Sequence, residues 1–119
     1  MDDKSKTGHK SREKGKRGER EVAKIFRDAG YPEARRTAQY CGKTGDASDV
    51  TGIPGIHLEI KYVEREQVRA WYAQAVRDAE AAGKGDTPVV VHRKTHSPWL
   101  VTLSLEDFIR LLGGCRDDK

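Results

Sequence analysis

The sequence predicts one α/β domain in which a mixed sheet is flanked by helices, with the element order α-β-β-β-α-β-β-α. The chain has 119 residues, which leaves room for one modest core. Apolar residues recur at helical spacing in several segments. Between these segments lie short apolar or alternating stretches that glycine and proline turns delimit, as is typical of strands.

The first helix is predicted over residues 15–30, because apolar side chains recur there at helical spacing and Gly30 is a natural stop. Residues 2–14 contain no large apolar side chain, so residues 1–14 are expected to form a disordered basic arm. The charge of this arm suits phosphate contacts, and a solubilising tail is the alternative.

The rest of the chain divides into predicted elements at its turns. In order, these are an extended piece over residues 34–38, a glycine-rich loop over 41–46, a strand over 48–51, a turn over 52–55, a strand over 56–63, a helix over 66–82 and strands over 87–92 and 99–103. Ser104 is expected to cap a last helix whose apolar face includes Phe108. The domain would therefore span residues 15–113, with a polar tail over 114–119.

Composition and charge indicate the kind of partner and the location to expect. The net charge of +4 suits a polyanionic partner. Cys41 and Cys115 lack the spacing of a zinc site or a disulfide framework, which makes a reducing cytoplasm the expected location. No apolar run approaches the roughly 18 residues of a membrane span, so no membrane partner is expected.

The strand over residues 56–63 carries the first chemical signal. Side chains alternate across a strand, so His57, Glu59 and Lys61 share one face. A carboxylate and an ammonium at positions i and i+2 then project together. The alternative is an ordinary strand with a solvated polar face.

Two further carboxylates can join this face. Folding the turn over residues 52–55 brings Asp49 near Glu59, and oxygen ligands of this kind suit Mg²⁺ or Mn²⁺. Asp49 could instead cap a turn, and Asp46 in the glycine-rich loop is a rival ligand. Glu19 lies on the apolar side of the first helix, where it either meets a polar site or complements the helix dipole.

These residues, in this order, resemble the PD-(D/E)XK nucleases. The motifs are Gly15-Lys-Arg-Gly-Glu19, Ser48-Asp49-Val50 and Glu59-Ile60-Lys61. Ser48 stands where the name motif has proline. The resemblance covers roughly residues 14–112 and is strongest to archaeal Holliday junction resolvases and small phage-encoded resolvase-like endonucleases. It implies a restriction-endonuclease-like fold and a location in the cytoplasm of a bacterial or phage-infected cell.

The resemblance also implies roles. Asp49, Glu59 and the backbone carbonyl of Ile60 would hold Mg²⁺ or Mn²⁺, Glu19 would assist with the metal, and Lys61 would position the attacking water. Gln74 is a possible supporting residue. The expected nucleic-acid contacts are Lys16, Arg17, Arg20, Arg35, Arg36, Lys43 and Arg93.

The implied activity is metal-dependent DNA endonuclease cleavage, selective for branched DNA and carried out by a homodimer. A nickase, an exonuclease or a flap-type repair nuclease would share the same catalytic residues, because substrate choice depends on the surface. A non-catalytic nucleic-acid-binding protein fits the basic arm. Glu59 and Lys61 argue against it, because carboxylates at a phosphate-binding surface weaken binding unless a metal offsets them.

Overall fold

A computed structural model describes the backbone of residues 2–37 and 48–113, with side chains from residue 12 onward. Its elements follow the predicted α-β-β-β-α-β-β-α order. They are α1 (Asp2–Asp28), β1 (Arg35–Arg36), β2 (Val50–Thr51), β3 (Ile56–Tyr62), α2 (Val68–Ala82), β4 (Thr87–Arg93), β5 (Leu100–Thr102) and α3 (Leu105–Leu111). The fold class is therefore confirmed.

The five strands form one mixed sheet in the spatial order β1-β2-β3-β4-β5. Neighbouring strands are antiparallel except β3 and β4, which run parallel with Glu59 opposite Val90. Parallel strands need a long crossover, and α2 supplies it. Because α2 covers one face of the central strands, it lies over the side chains that alternate toward that face.

The two helices cover opposite faces of β3. Val22 and Ala23 of α1 pack in a core cluster that includes Leu58 and Ile60, whereas Trp71 of α2 packs in a separate cluster. Both faces of β3 are therefore covered, and five of its seven residues are buried. His57 and Glu59 consequently lie in the interior, each with 3% of its surface exposed.

The start of α1 differs from the prediction. The helix begins at Asp2 instead of residue 15, so its backbone includes most of the segment expected to be a disordered arm. Residues 2–14 lack proline and contain several lysines, which favour helix. The absence of apolar residues removes packing contacts, but it does not prevent a helix from continuing outward from a packed segment.

The last helix is capped as predicted, because the Ser104 hydroxyl accepts a hydrogen bond of 3.0 Å from the Asp107 backbone N–H. Its burial is not as expected. Phe108 was predicted to lie on the apolar face of this helix, yet 47% of its surface is exposed, and α3 has no buried residue. The cause is position, since this short helix follows the edge strand β5.

The turn between β2 and β3 depends on Gly52. Its φ of +94° is a conformation that L side chains rarely adopt, and a Cβ there would lie 2.2 Å from the Glu33 carbonyl oxygen. A side chain at this position would therefore collide with the segment that follows α1. Among residues 2–37 and 48–113, no helix is both long and apolar enough to cross a membrane.

Candidate active site

Three polar side chains of β3 point toward α2. Atom Nε2 of His57 lies 3.0 Å from Oε2 of Glu59, and both side chains are buried. Further along the strand, Nζ of Lys61 donates a hydrogen bond of 3.2 Å to Oε1 of Gln74 on α2. The alternation of β3 thus puts all three groups on one face, as the sequence predicted, and α2 covers that face.

Asp49 is the residue directly before β2, and it contacts β3. Its backbone N–H donates to the Leu58 carbonyl at 2.8 Å, which keeps it within the hairpin. Its Oδ2 accepts a bond of 2.8 Å from the backbone N–H of Ile60, and the side chain is buried. The carboxylate is therefore fixed against the backbone that joins Glu59 to Lys61.

A third carboxylate, that of Asp78 on α2, faces the same group. One ligand atom from each of His57, Glu59 and Asp78 lies within 4.8 Å of the others. Atom Oδ2 of Asp78 is buried and has no hydrogen-bond partner within the described part of the chain. Neither Asp78 nor His57 was among the site residues predicted from the sequence.

The electrostatics of Glu59 reflect this crowding. Burial raises the pKa of Glu59 above its ordinary value. The hydrogen bond from His57 lowers the pKa, and the nearby carboxylates of Asp49 and Asp78 raise it. Asp49 and Glu59 are thus close enough to interact, as the hairpin argument predicted.

These residues fit a divalent cation. Carboxylates that share a buried site repel one another unless a cation or a proton lies between them. Oxygen ligands from Glu59 and Asp78, with a nitrogen ligand from His57, form a donor set that proteins use for divalent metals. When bound in a nuclease, such an ion supplies charge stabilisation at the phosphate and lowers the pKa of a water molecule.

A signal for Asp78 exists in the sequence. Gln74 and Asp78 are four residues apart on a helix, so they lie on the same face. If Gln74 meets Lys61, then Asp78 lies one turn along toward Glu59. The inference requires knowing that α2 packs on this face of β3, which local patterns do not reveal.

Glu19 lies elsewhere. Its Oε1 accepts a bond of 2.8 Å from Nε of Arg36, and both side chains are largely buried. Arg36 is opposite Val50, which packs in the core cluster of α1. This pair therefore lies on the α1 side of the sheet, whereas the group of His57, Glu59 and Asp78 lies on the α2 side.

Two of the predicted nucleic-acid contacts lie over the ring of Tyr62 at the end of β3. The guanidinium carbons of Arg17 and Arg93 lie 5.7 Å and 4.8 Å from the centre of its ring. Arg93 also donates to Glu21 at 3.3 Å. Two further predicted contacts, Arg20 and Arg35, are exposed.

Of the two remaining predicted nucleic-acid contacts, Lys16 and Lys43, only Lys16 lies among the described residues. Lys16 lies 3.9 Å from Glu13 on α1. Lys43 and the rival ligand Asp46 lie outside the described residues.

The fold and the Glu-x-Lys strand define the class as a PD-(D/E)XK nuclease. A comparison with protein families agrees, since the family described as "Phage putative PDDEXK endonuclease" matches residues 10–115. The chain belongs to this phage endonuclease family. No curated protein and no solved structure gives a significant match.

Proposed function

We propose that this protein is a divalent-metal-dependent DNA endonuclease whose catalytic centre lies between β3 and α2. The observation that carries the proposal is the convergence of Asp49, Glu59 and Asp78 beside Lys61. Membership of the nuclease family supports the reaction type, phosphodiester hydrolysis. The metal ligands would be Asp49, Glu59 and the Ile60 carbonyl. Glu19 is not among them, because it pairs with Arg36 on the α1 side of the sheet.

Each residue has a distinct task in this proposal. The ammonium group of Lys61 offsets the charge that grows on the scissile phosphate. Gln74 accepts a hydrogen bond from Lys61 and so orients the ammonium group. The bond from the Ile60 N–H holds the Asp49 carboxylate beside the Glu-x-Lys strand.

The predicted substrate is branched DNA such as a four-way junction. Two symmetric cuts at a junction require two active sites, so the proposal includes a homodimer. Its support is the group of large apolar side chains that β5 and α3 leave exposed: Leu100, Val101, Leu105, Phe108, Ile109 and Leu111. Sedimentation of the DNA-free chain tests this part, and a monomer at micromolar concentration would contradict it.

The test of catalysis compares labelled four-way junction, flap, duplex and single-stranded DNA in Mg²⁺, Mn²⁺ and EDTA. Cutting should require the metal, and Glu59→Gln should abolish it. Lys61→Met should slow it by about 100-fold or more, because one charge-stabilising group is removed. Glu80→Gln is the matched control, since Glu80 is an exposed carboxylate on α2.

The same assay separates the alternatives. Preference for the flap, cutting of one strand, or digestion from ends would identify another nuclease subtype of the same fold. If none of these DNAs is cut, while binding persists in EDTA and in Glu59→Gln, catalysis is rejected and the non-catalytic binding protein takes its place.

A further inference from the structure

The spacing of β3 matches that of α2 where they pack together. Two residues along a strand advance about 6.6 Å, and four residues along a helix advance about 6 Å. Lys61 contacts Gln74 on one level, and the His57–Glu59 pair meets Asp78 on the next. The Asp78 side chain is thus placed by the same register that places Gln74 on Lys61.

The contact of Asp78 with the His57–Glu59 pair is unusual for a packed interface, because all three side chains are ionisable. His57 and Glu59 are both almost fully buried, and Oδ2 of Asp78 is buried with no hydrogen-bond partner among the described residues. A buried carboxylate oxygen without a partner is costly, because it has lost its water and gained nothing. Lys61 does not pair with it, since Nζ of Lys61 donates a hydrogen bond to Gln74.

We propose that His57 and Asp78 join Glu59 as ligands of the divalent ion of the proposed function, and that the imidazole makes this site prefer Mn²⁺ to Mg²⁺. The buried Asp78 oxygen then has a partner, and the two neighbouring carboxylates have a counter-charge. The inference deepens the proposed function and rests on it for the role of the ion in cleavage.

The preference follows from ligand chemistry. Mg²⁺ favours oxygen ligands and keeps several waters, which a dry interface limits. Imidazole nitrogen suits first-row transition ions, and carboxylates suit Mn²⁺ as well as Mg²⁺. One imidazole with two carboxylates therefore retains a hard-ion site while adding a ligand that strengthens Mn²⁺ binding more than Mg²⁺ binding.

The competing explanation is a polar network without an ion, in which His57 only orients Glu59. The two explanations differ in the metal-free protein. If the site is built for a cation, Asp78→Asn removes a repulsive charge and should raise the melting temperature in EDTA. If Asp78 serves only the network, the same change should lower the melting temperature.

The experiment titrates the full chain with Mn²⁺ and with Mg²⁺ by calorimetry and follows bound Mn²⁺ by electron paramagnetic resonance. Wild type should bind Mn²⁺ at least about tenfold more tightly than Mg²⁺ and show nitrogen coupling from the imidazole. His57→Gln should lose that coupling and about tenfold in Mn²⁺ affinity, while Mg²⁺ affinity changes less. Asp78→Asn should weaken the binding of both Mn²⁺ and Mg²⁺, whereas Glu80→Gln should leave the binding of both ions unchanged.

Other outcomes overturn the inference. Unchanged Mn²⁺ affinity in both His57→Gln and Asp78→Asn would show that the ion is held without them. A wild-type spectrum without nitrogen coupling would do the same, and it does not depend on whether a variant folds.

Cleavage is scored separately, so the two proposals fail in different ways. DNA cutting that persists while both variants keep full Mn²⁺ affinity rejects the His57–Asp78 site and leaves the nuclease intact. Mn²⁺ binding that needs both residues, in a protein that cuts no DNA, rejects the nuclease and leaves the metal site.

Discussion

At the scale of single residues, burial shifts the pKa of ionisable side chains in this protein. His92 on β4 is an example outside the proposed catalytic group. Its Nε2 lies 2.9 Å from Oγ1 of Thr102, and its ring packs 5.5 Å from the ring of Trp71. Burial lowers the pKa of His92, and Glu66 opposes the shift only in part. The folded protein therefore favours neutral His92.

A pH dependence of stability follows. Because the unfolded chain takes up a proton on His92 near pH 6.5 and the folded chain resists it, the free energy of unfolding should fall as pH drops below 6.5. Above that value His92 contributes no pH dependence. Urea unfolding between about pH 7.5 and pH 5.5 measures the slope, and His92→Gln should flatten it.

The exposed His96 provides the control for this experiment. His96→Gln should leave the slope of the wild type in place. An identical slope in His92→Gln and wild type would show that other groups cause the pH dependence.

At the scale of elements, the contact between α1 and β3 is set by a glycine. Gly18 lies where a Cβ would be 3.0 Å from Cβ of Tyr62 and 3.3 Å from the Trp99 ring. Tyr62 is anchored by the strand pairing of β3, so it cannot move aside easily. We expect Gly18→Ala to lower the free energy of unfolding by about 1–3 kcal/mol through overpacking.

Gly15 offers a matched comparison in the same helix, because a Cβ there meets nothing within 4 Å. Gly15→Ala should raise the free energy of unfolding by about 0.5–1 kcal/mol, since alanine is the better helix former. Denaturant unfolding of both variants tests the pair. Equal effects of the two substitutions would contradict the close packing of α1 on β3.

The elements also show which features local sequence predicts. The alternation of β3 and the turn before it predicted the meeting of Asp49 and Glu59, because both are decided within a short hairpin. The start of α1 and the exposure of Phe108 depend on where a helix lies relative to the sheet. Asp78 belongs with these, since only the packing of α2 brings it to Glu59.

At the scale of the whole molecule, the proposed catalytic Lys61 and the cations over Tyr62 lie at the same end of β3. Lys61 faces α2 and Tyr62, the next residue, lies under Arg17 and Arg93 on the α1 side. A DNA strand crossing this end of the sheet would meet the proposed catalytic lysine and the cations of α1 together. Lys84 follows α2 near the opposite end of β4 and is exposed.

This arrangement predicts how binding depends on salt. Each lost phosphate contact reduces the slope of log K against log salt concentration by about 0.9 for duplex DNA. Arg17→Gln and Arg20→Gln should therefore each flatten the slope and weaken binding similarly for different sequences. Binding is measured at several salt concentrations with catalysis blocked by Glu59→Gln.

Lys84→Gln removes the same formal charge at the far end of the sheet, so it controls for net charge alone. If it flattens the slope as much as Arg17→Gln does, the attraction is a property of overall charge and α1 forms no specific part of the DNA path. If only the α1 variants act, the cations of α1 hold the phosphates beside the proposed catalytic centre. The basic helix and the acidic interface would then be two halves of one site, joined through the adjacent residues Lys61 and Tyr62.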